Sequence, residues 1–215
     1  INASQTITKY LSERSVPALV KVQKAADQYK GIETLIKTYG FGPIVPNTIL
    51  MGQPREGNVS LEYARLVKLI YASKRNLIIC SNCTSDDIDT PRRLDVWWNR
   101  KSSNAGLLLA IAHLLSTSPK WSNSKMILRT IIGKHEEPSE AQLHLSQHIK
   151  QGRLVANVSV HIQEEVPVFE TISNVSSQAD YIFLGVRPPE EEESDQDYLV
   201  YFQKLKDTCH HLLYF

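Results

Sequence analysis

Apolar residues recur along this chain in two alternating rhythms. Ile32, Leu35, Ile36 and Tyr39 stand at i, i+3, i+4 and i+7 behind Asp27 and ahead of Gly40. That is one helix face between an N-cap and a C′ glycine. Ile7, Tyr10 and Leu11 give a shorter helical face at the start. Short runs rich in Ile, Leu and Val at 18–22, 47–51, 77–80, 94–98, 126–132, 154–160 and 181–186 read as strands. Between them the pattern predicts helices over about 60–72, 104–116, 139–150 and 166–177. A last helix carries Tyr198, Tyr201, Phe202 and Leu205 on one face and precedes residues 211–215. The 104–116 segment is apolar around most of its circumference, so it is expected to bury itself against a sheet and a further element.

The strands are apolar on both faces, which suits a parallel sheet covered by helices on each side and linked by βαβ crossovers. The predicted fold class is doubly wound α/β. A faint internal repeat adds to this: Asn47-Thr-Ile-Leu-Met-Gly52 echoes Asp180-Tyr-Ile-Phe-Leu-Gly185, each after a strand and a helix. Two α/β lobes are expected, 1–57 and 58–215, joined by the polar link 53–58. The first is incomplete, because two strands cannot cover their own helices. Its missing strands lie upstream or are supplied by the second sheet. Charge and turn residues crowd between 83 and 90, where a loop is expected.

Composition narrows the function. With 24 Lys+Arg against 23 Asp+Glu, the formal charge of +1 gives no basic footprint for nucleic acid or an anionic membrane. No apolar run approaches the ~20 residues of a membrane helix; the longest, 107–115, is interrupted by His113. Three cysteines, an odd count, argue against a disulfide framework and for a reducing compartment. The chain opens on Ile1 with no signal-like segment, and so reads as a piece of something longer. Five Asn-x-Ser/Thr sequons, at Asn2, Asn58, Asn82, Asn157 and Asn174, are read as chance matches.

Candidate chemistry is sparse. Cys80 and Cys83 form a C-x-x-C at a strand end, but an acidic turn follows where a redox thiol needs a helix N-terminus. A zinc site there would have to borrow Cys209, His210 or His211, so unreactive thiols are the expectation. His144 and His148, four apart on one helix, could face one metal; a solvated helix face is the preferred reading. His113 reads as a core or interface histidine. Gly133-Lys134 lacks the rest of a P-loop, and Gly40-Phe-Gly42 lacks the third glycine of a dinucleotide loop. Gly185 ends a strand where doubly wound folds bind ligands, but Arg187-Pro-Pro189 follows it. Trp97 and Trp98 must point to opposite faces of their strand. The acidic run Glu190–Glu193, with Asp195 and Asp197, reads as a solvated loop and helix N-terminus. No catalytic, cofactor-binding or metal-binding residue is assigned, and no enzyme activity is expected.

Three strings carry a family resemblance. Tyr39-Gly-Phe-Gly42 followed by Pro46-Asn-Thr-Ile-Leu-Met-Gly52 resembles a segment of the cation-chloride cotransporters. Leu94-Asp-Val-Trp-Trp98, with Gly106-Leu-Leu-Leu109 and Trp121, is similar to that family's next stretch, and Ala179-Asp-Tyr-Ile-Phe-Leu-Gly-Val-Arg-Pro-Pro189 to its late strand. The order is the family's own. The turn from Asn99 to Asn104 departs from the acidic, glycine-bearing turn usual there. The resemblance implies a non-catalytic cytosolic domain of a membrane transporter moving chloride with sodium and/or potassium, nearest a prokaryotic member. It implies two universal-stress-protein-like lobes, a homodimer, and attachment to a transmembrane domain of the same polypeptide on the cytoplasmic side. No cofactor, nucleic acid or direct membrane insertion is implied. The alternative is a universal-stress-type nucleotide sensor, although the glycine-spaced ATP loop of such proteins is not found here.

Overall fold

A computed structural model of the chain describes residues 2–40, 45–53, 59–81, 92–99, 104–208 and 212–214. The chain divides into two compact units, Ile1–Pro46 and Asn47–Phe215. The first holds α1 (Ala3–Glu13) and α2 (Gln28–Thr38). Asn2 caps α1 by accepting the Ser4 N–H at 3.2 Å, and Asp27 caps α2 by accepting that of Lys30 at 3.0 Å. Each carboxamide or carboxylate thereby satisfies a donor that the helix itself leaves unpaired. At Gly31 a side chain would meet the Ala25 Cβ at 2.9 Å, so only glycine fits there without displacement.

The strand expected at 18–22 does not form. The segment is irregular, Leu19 is 90% exposed, and among the described residues no strand pairs with it. A run of β-prone residues without a ladder partner cannot satisfy its backbone as a strand. Residues 54–58, which hold the expected link between lobes, lie outside the described residues.

The second unit contains β1 (Thr48–Gly52), α3 (Leu61–Ala72), β2 (Asn76–Cys80), β3 (Arg93–Trp97), α4 (Ala105–Ser116), β4 (Lys125–Ile132) and α5 (Pro138–Gln151). Beyond them come β5 (Asn157–Ile162), α6 (Val168–Val175), β6 (Tyr181–Leu184), α7 (Asp195–Thr208) and β7 (Leu212–Tyr214). The strands form one seven-stranded sheet in the order β1-β2-β7-β6-β3-β4-β5. All neighbours are parallel except β2 and β7, so β1–β2 runs opposite to the other five strands. The α/β class and the mainly parallel sheet agree with the sequence reading.

Alternation along β3 divides the layers. Leu94 and Val96 face a core built with Met126, Leu128 and Phe183, on which α4 places Leu108 and Ala112 and α5 places Leu145 and Ile149. Arg93, Asp95 and Trp97 face the other way, where the end of α6 covers them. There α7 packs against α6 and α3, with Tyr63 edge-on to Phe202 at 6.3 Å. The expectation for α4 needs correction. Its inner face is buried, but Leu114 is 63% exposed and Ala110 is open, so among the described residues no second element covers its outer face.

Candidate functional site: the crevice at the strand switch

From β3 the chain winds one way to β4 and β5, then crosses to β6 and β7 on the other side. Loops leaving adjacent strands in opposite directions must part there, opening a crevice at the strand C-termini. The structure has a cavity of about 600 Å³ at this place, lined by Trp97, Trp98, Ile132, Gly133, Leu184 and Gly185 among others. Its walls are largely apolar. Trp97 is buried, its Nε1 donating to Ser176 Oγ at 3.0 Å; Trp98 is half-buried on the opposite face, over His148. The two rings therefore part to opposite faces as alternation requires, and both ends of the pair reach the crevice.

The turn after β6 decides what this crevice can hold. Phosphate cradles are made of successive backbone N–H groups pointing at the ligand. Here the Arg187 N–H is donated to Tyr201 Oη at 3.1 Å, Pro188 and Pro189 have no N–H, and the Glu190 N–H is donated to Glu193 Oε2 at 3.2 Å. Four consecutive positions thus offer no donor. The cation nearby is also engaged: the Arg187 guanidinium makes a two-pronged ion pair with Glu193 and lies over the Tyr201 ring at 4.4 Å. The Arg187 hydrogen bond holds the Glu193 carboxyl below its ordinary range, and the same bond raises Arg187 further. Burial pushes the Tyr198 and Tyr201 hydroxyls up, so both stay neutral; Tyr198 donates to the Arg187 carbonyl at 3.1 Å. Gly133 is no freer, since its N–H is donated to Glu136 Oε1 at 3.1 Å.

Beneath the crevice lies a buried polar network that the sequence reading did not single out. Asp95, fully buried, accepts from Arg93 through both carboxylate oxygens (2.9 and 2.8 Å) and from Ser176 at 2.7 Å, and pairs with Arg129 Nε at 2.9 Å. Arg129 then reaches Ser159 Oγ at 3.2 Å and His161 Nε2 at 3.3 Å. Burial, and next the Arg129 charge, hold His161 below its ordinary pKa against the opposing pull of Asp95. The only signal in the sequence is a pair of charges, Arg93 and Asp95, two apart in an otherwise apolar strand.

The other candidates fall as follows. His144 and His148 are brought together, Nε2 to Nε2 at 3.3 Å. His113 is half-buried on α4. Cys80 is disulfide-bonded, which corrects the expectation of unpaired thiols; residues 83 and 209–211 lie outside the described residues, as do Gly42 and the loop expected at 83–90. The acidic run lies as expected in an exposed loop and the first turn of α7, with Glu193 and Asp195 also tied into ion pairs, Asp195 with Arg65 (2.7 Å) and Lys68 (3.0 Å). Asp197 does serve the α7 N-terminus, exchanging hydrogen bonds with Ser194. Among the described residues no three His, Cys, Asp or Glu side chains could share a metal, and no helix is long and apolar enough to cross a membrane.

No family model matches the chain. Several solved structures share its fold, among them two that match over nearly all of this chain. The cytoplasmic domain of a prokaryotic cation chloride cotransporter is 13% identical, with a TM-score of 0.62 over 98% of this chain and 77% of its own. A universal stress protein from Archaeoglobus fulgidus DSM 4304 is 15% identical, with a TM-score of 0.60 over 99% of this chain and 75% of its own. The fold is universal-stress-protein-like α/β. At these identities the likeness extends to the fold alone.

Proposed function

We propose that this chain is the non-catalytic, cytosolic regulatory and pairing domain of a membrane cation-chloride cotransporter, joined to the transmembrane part of the same polypeptide. The observation that carries this reading is the turn after β6. It occupies the ligand position of the fold, yet its four successive positions from Arg187 to Glu190 offer no free backbone donor and its arginine is already paired. A fold of this kind, with that position closed, is suited to mechanical coupling more than to sensing a nucleotide. The reading is supported by the fold likeness to a cotransporter cytoplasmic domain. It is supported also by where the three family-like strings lie: on β1, on β3 with α4, and on β6 with its turn. Pairing as a homodimer is supported by α4, whose outer stripe carries Leu114, Ala110 and part of Ile111, left exposed by the described residues.

A second reading, a universal-stress-type ligand sensor, is favoured by the 600 Å³ crevice itself. Calorimetric titration with ATP and magnesium separates the two. The transporter reading expects no saturable heat; a stoichiometric site abolished by filling the crevice, as by Gly185→Leu, would overturn it. Sedimentation of the chain and of Leu114→Glu tests pairing, with a dimer expected for the first and a monomer for the second.

A further inference from the structure

We infer that His144 and His148 form a two-histidine seat for a divalent metal ion of the zinc type on α5. Neither histidine lines the crevice, which shares only Trp98 with this chelate, and the chelate does not depend on the function proposed above. Four-residue spacing places both rings on one stripe of the helix. Leu145 and Ile149, buried in the core, fix the rotation of α5 and so hold that stripe at the edge of the helix–sheet packing. The rings meet edge-to-face, with centroids 4.5 Å apart and planes at 82°.

The decisive quantity is the separation of the two Nε2 atoms, 3.3 Å. Two imidazole nitrogens bound to one tetrahedral zinc, each about 2.05 Å from it, stand about 3.3 Å apart. The two nitrogens thus already have the separation of the chelate. As a direct contact the pair shares one hydrogen; moving it to the far ring nitrogen of its donor leaves two lone pairs facing one point, with no change in net charge. Half of the chelate is held rigidly. His148 stacks on Trp98 with centroids at 4.7 Å. Trp98 is itself pinned through its backbone, its N–H donated to the Arg129 carbonyl at 2.7 Å and its carbonyl accepting from Thr130 Oγ1 at 3.0 Å. Such support around a ligating histidine sets ring orientation and raises affinity. Two protein ligands leave two positions for water or a ligand from outside, so the affinity is that of an exchangeable site and not of a structural zinc.

The test uses the purified chain and Zn²⁺ alone. Calorimetry should give one ion per chain, and each of His144→Gln and His148→Gln should weaken it by at least about tenfold. Nitrogen NMR of the unaltered chain should show zinc shifting the Nε2 resonances of these two histidines together, a readout that survives if a variant fails to fold. Copper(II), which imidazole also favours, should quench Trp98 emission, an effect lost in Trp98→Phe. Zinc binding undiminished in either single variant, shifts confined to other histidines, or no binding at millimolar zinc would each overturn the assignment.

Discussion

Asp95 shows how much one residue can organise. It is wholly buried; it accepts hydrogen bonds from Arg93 and Ser176 and forms an ion pair with Arg129. Removing its charge leaves two guanidinium groups facing each other under α6 without their counter-ion. Breaking one partner out of a buried ion pair costs about 3–5 kcal/mol, so Asp95→Asn should lower the urea unfolding free energy by about that amount. A loss within the range of ordinary surface substitutions would show that the network is dispensable. His161, at the outer end of the same network, gives it a pH dependence. Its folded pKa is depressed, so the unfolded chain takes up a proton first as pH falls below the ordinary histidine value of about 6.5. Stability is therefore complete above that pH and declines from there toward the folded pKa. His161→Gln should flatten the denaturant midpoint between about pH 7 and 5; an unchanged slope would assign the acid sensitivity elsewhere. Little of this network was legible beforehand. The sequence shows a charge inside an apolar strand, but which helix end closes over it depends on the crossover from β5 to β6.

At the scale of elements, the amphipathic helices and the long apolar strands were legible because each repeats its own period several times. The ends were less so, and the backbone shows why. Ser15, Lys74 and Arg153 have φ of 52°, 54° and 51°, each just past the C-cap of α1, α3 or α5. These are left-handed C′ positions, where glycine is the usual signal and none is present. For α5 the consequence is visible. The Leu154 N–H turns back to the Ile149 carbonyl at 2.9 Å, so 152–154 belongs to the helix cap and β5 starts at Asn157, later than the apolar run suggests. A side chain in this conformation costs about 1 kcal/mol or more. Lys74→Gly and Arg153→Gly, both at exposed sites, should each raise stability by up to about 1 kcal/mol. Thermal unfolding of the two variants checks this, and a lowered midpoint in both would mean that the capping geometry is not the limiting strain.

The whole second unit depends on its shortest strand. β7 has three residues, and it was not expected, since Leu212–Tyr214 is too brief to show alternation. Yet it lies between two sheet halves of opposite direction, parallel to β6 through Ile182, Phe183 and Leu184 and antiparallel to β2 through Ile79 and Cys80. No other strand in the described sheet connects them. The β1–β2 pair alone is a two-stranded ribbon, which is marginal in water, whereas β6-β3-β4-β5 keeps the core of Leu94, Val96, Leu128 and Phe183 on its own. Leu213 is registered with both Cys80 and Phe183, so proline at this position removes a ladder donor and forbids the central-strand geometry. Leu213→Pro should therefore uncouple the halves without melting the larger one. In native-state hydrogen exchange, amides of β1 and β2 should lose protection by orders of magnitude, while those of β4 keep theirs. Loss of protection across β4 and β5 to the same degree would mean that the seven strands unfold as one unit, and that β7 is not the joint between them.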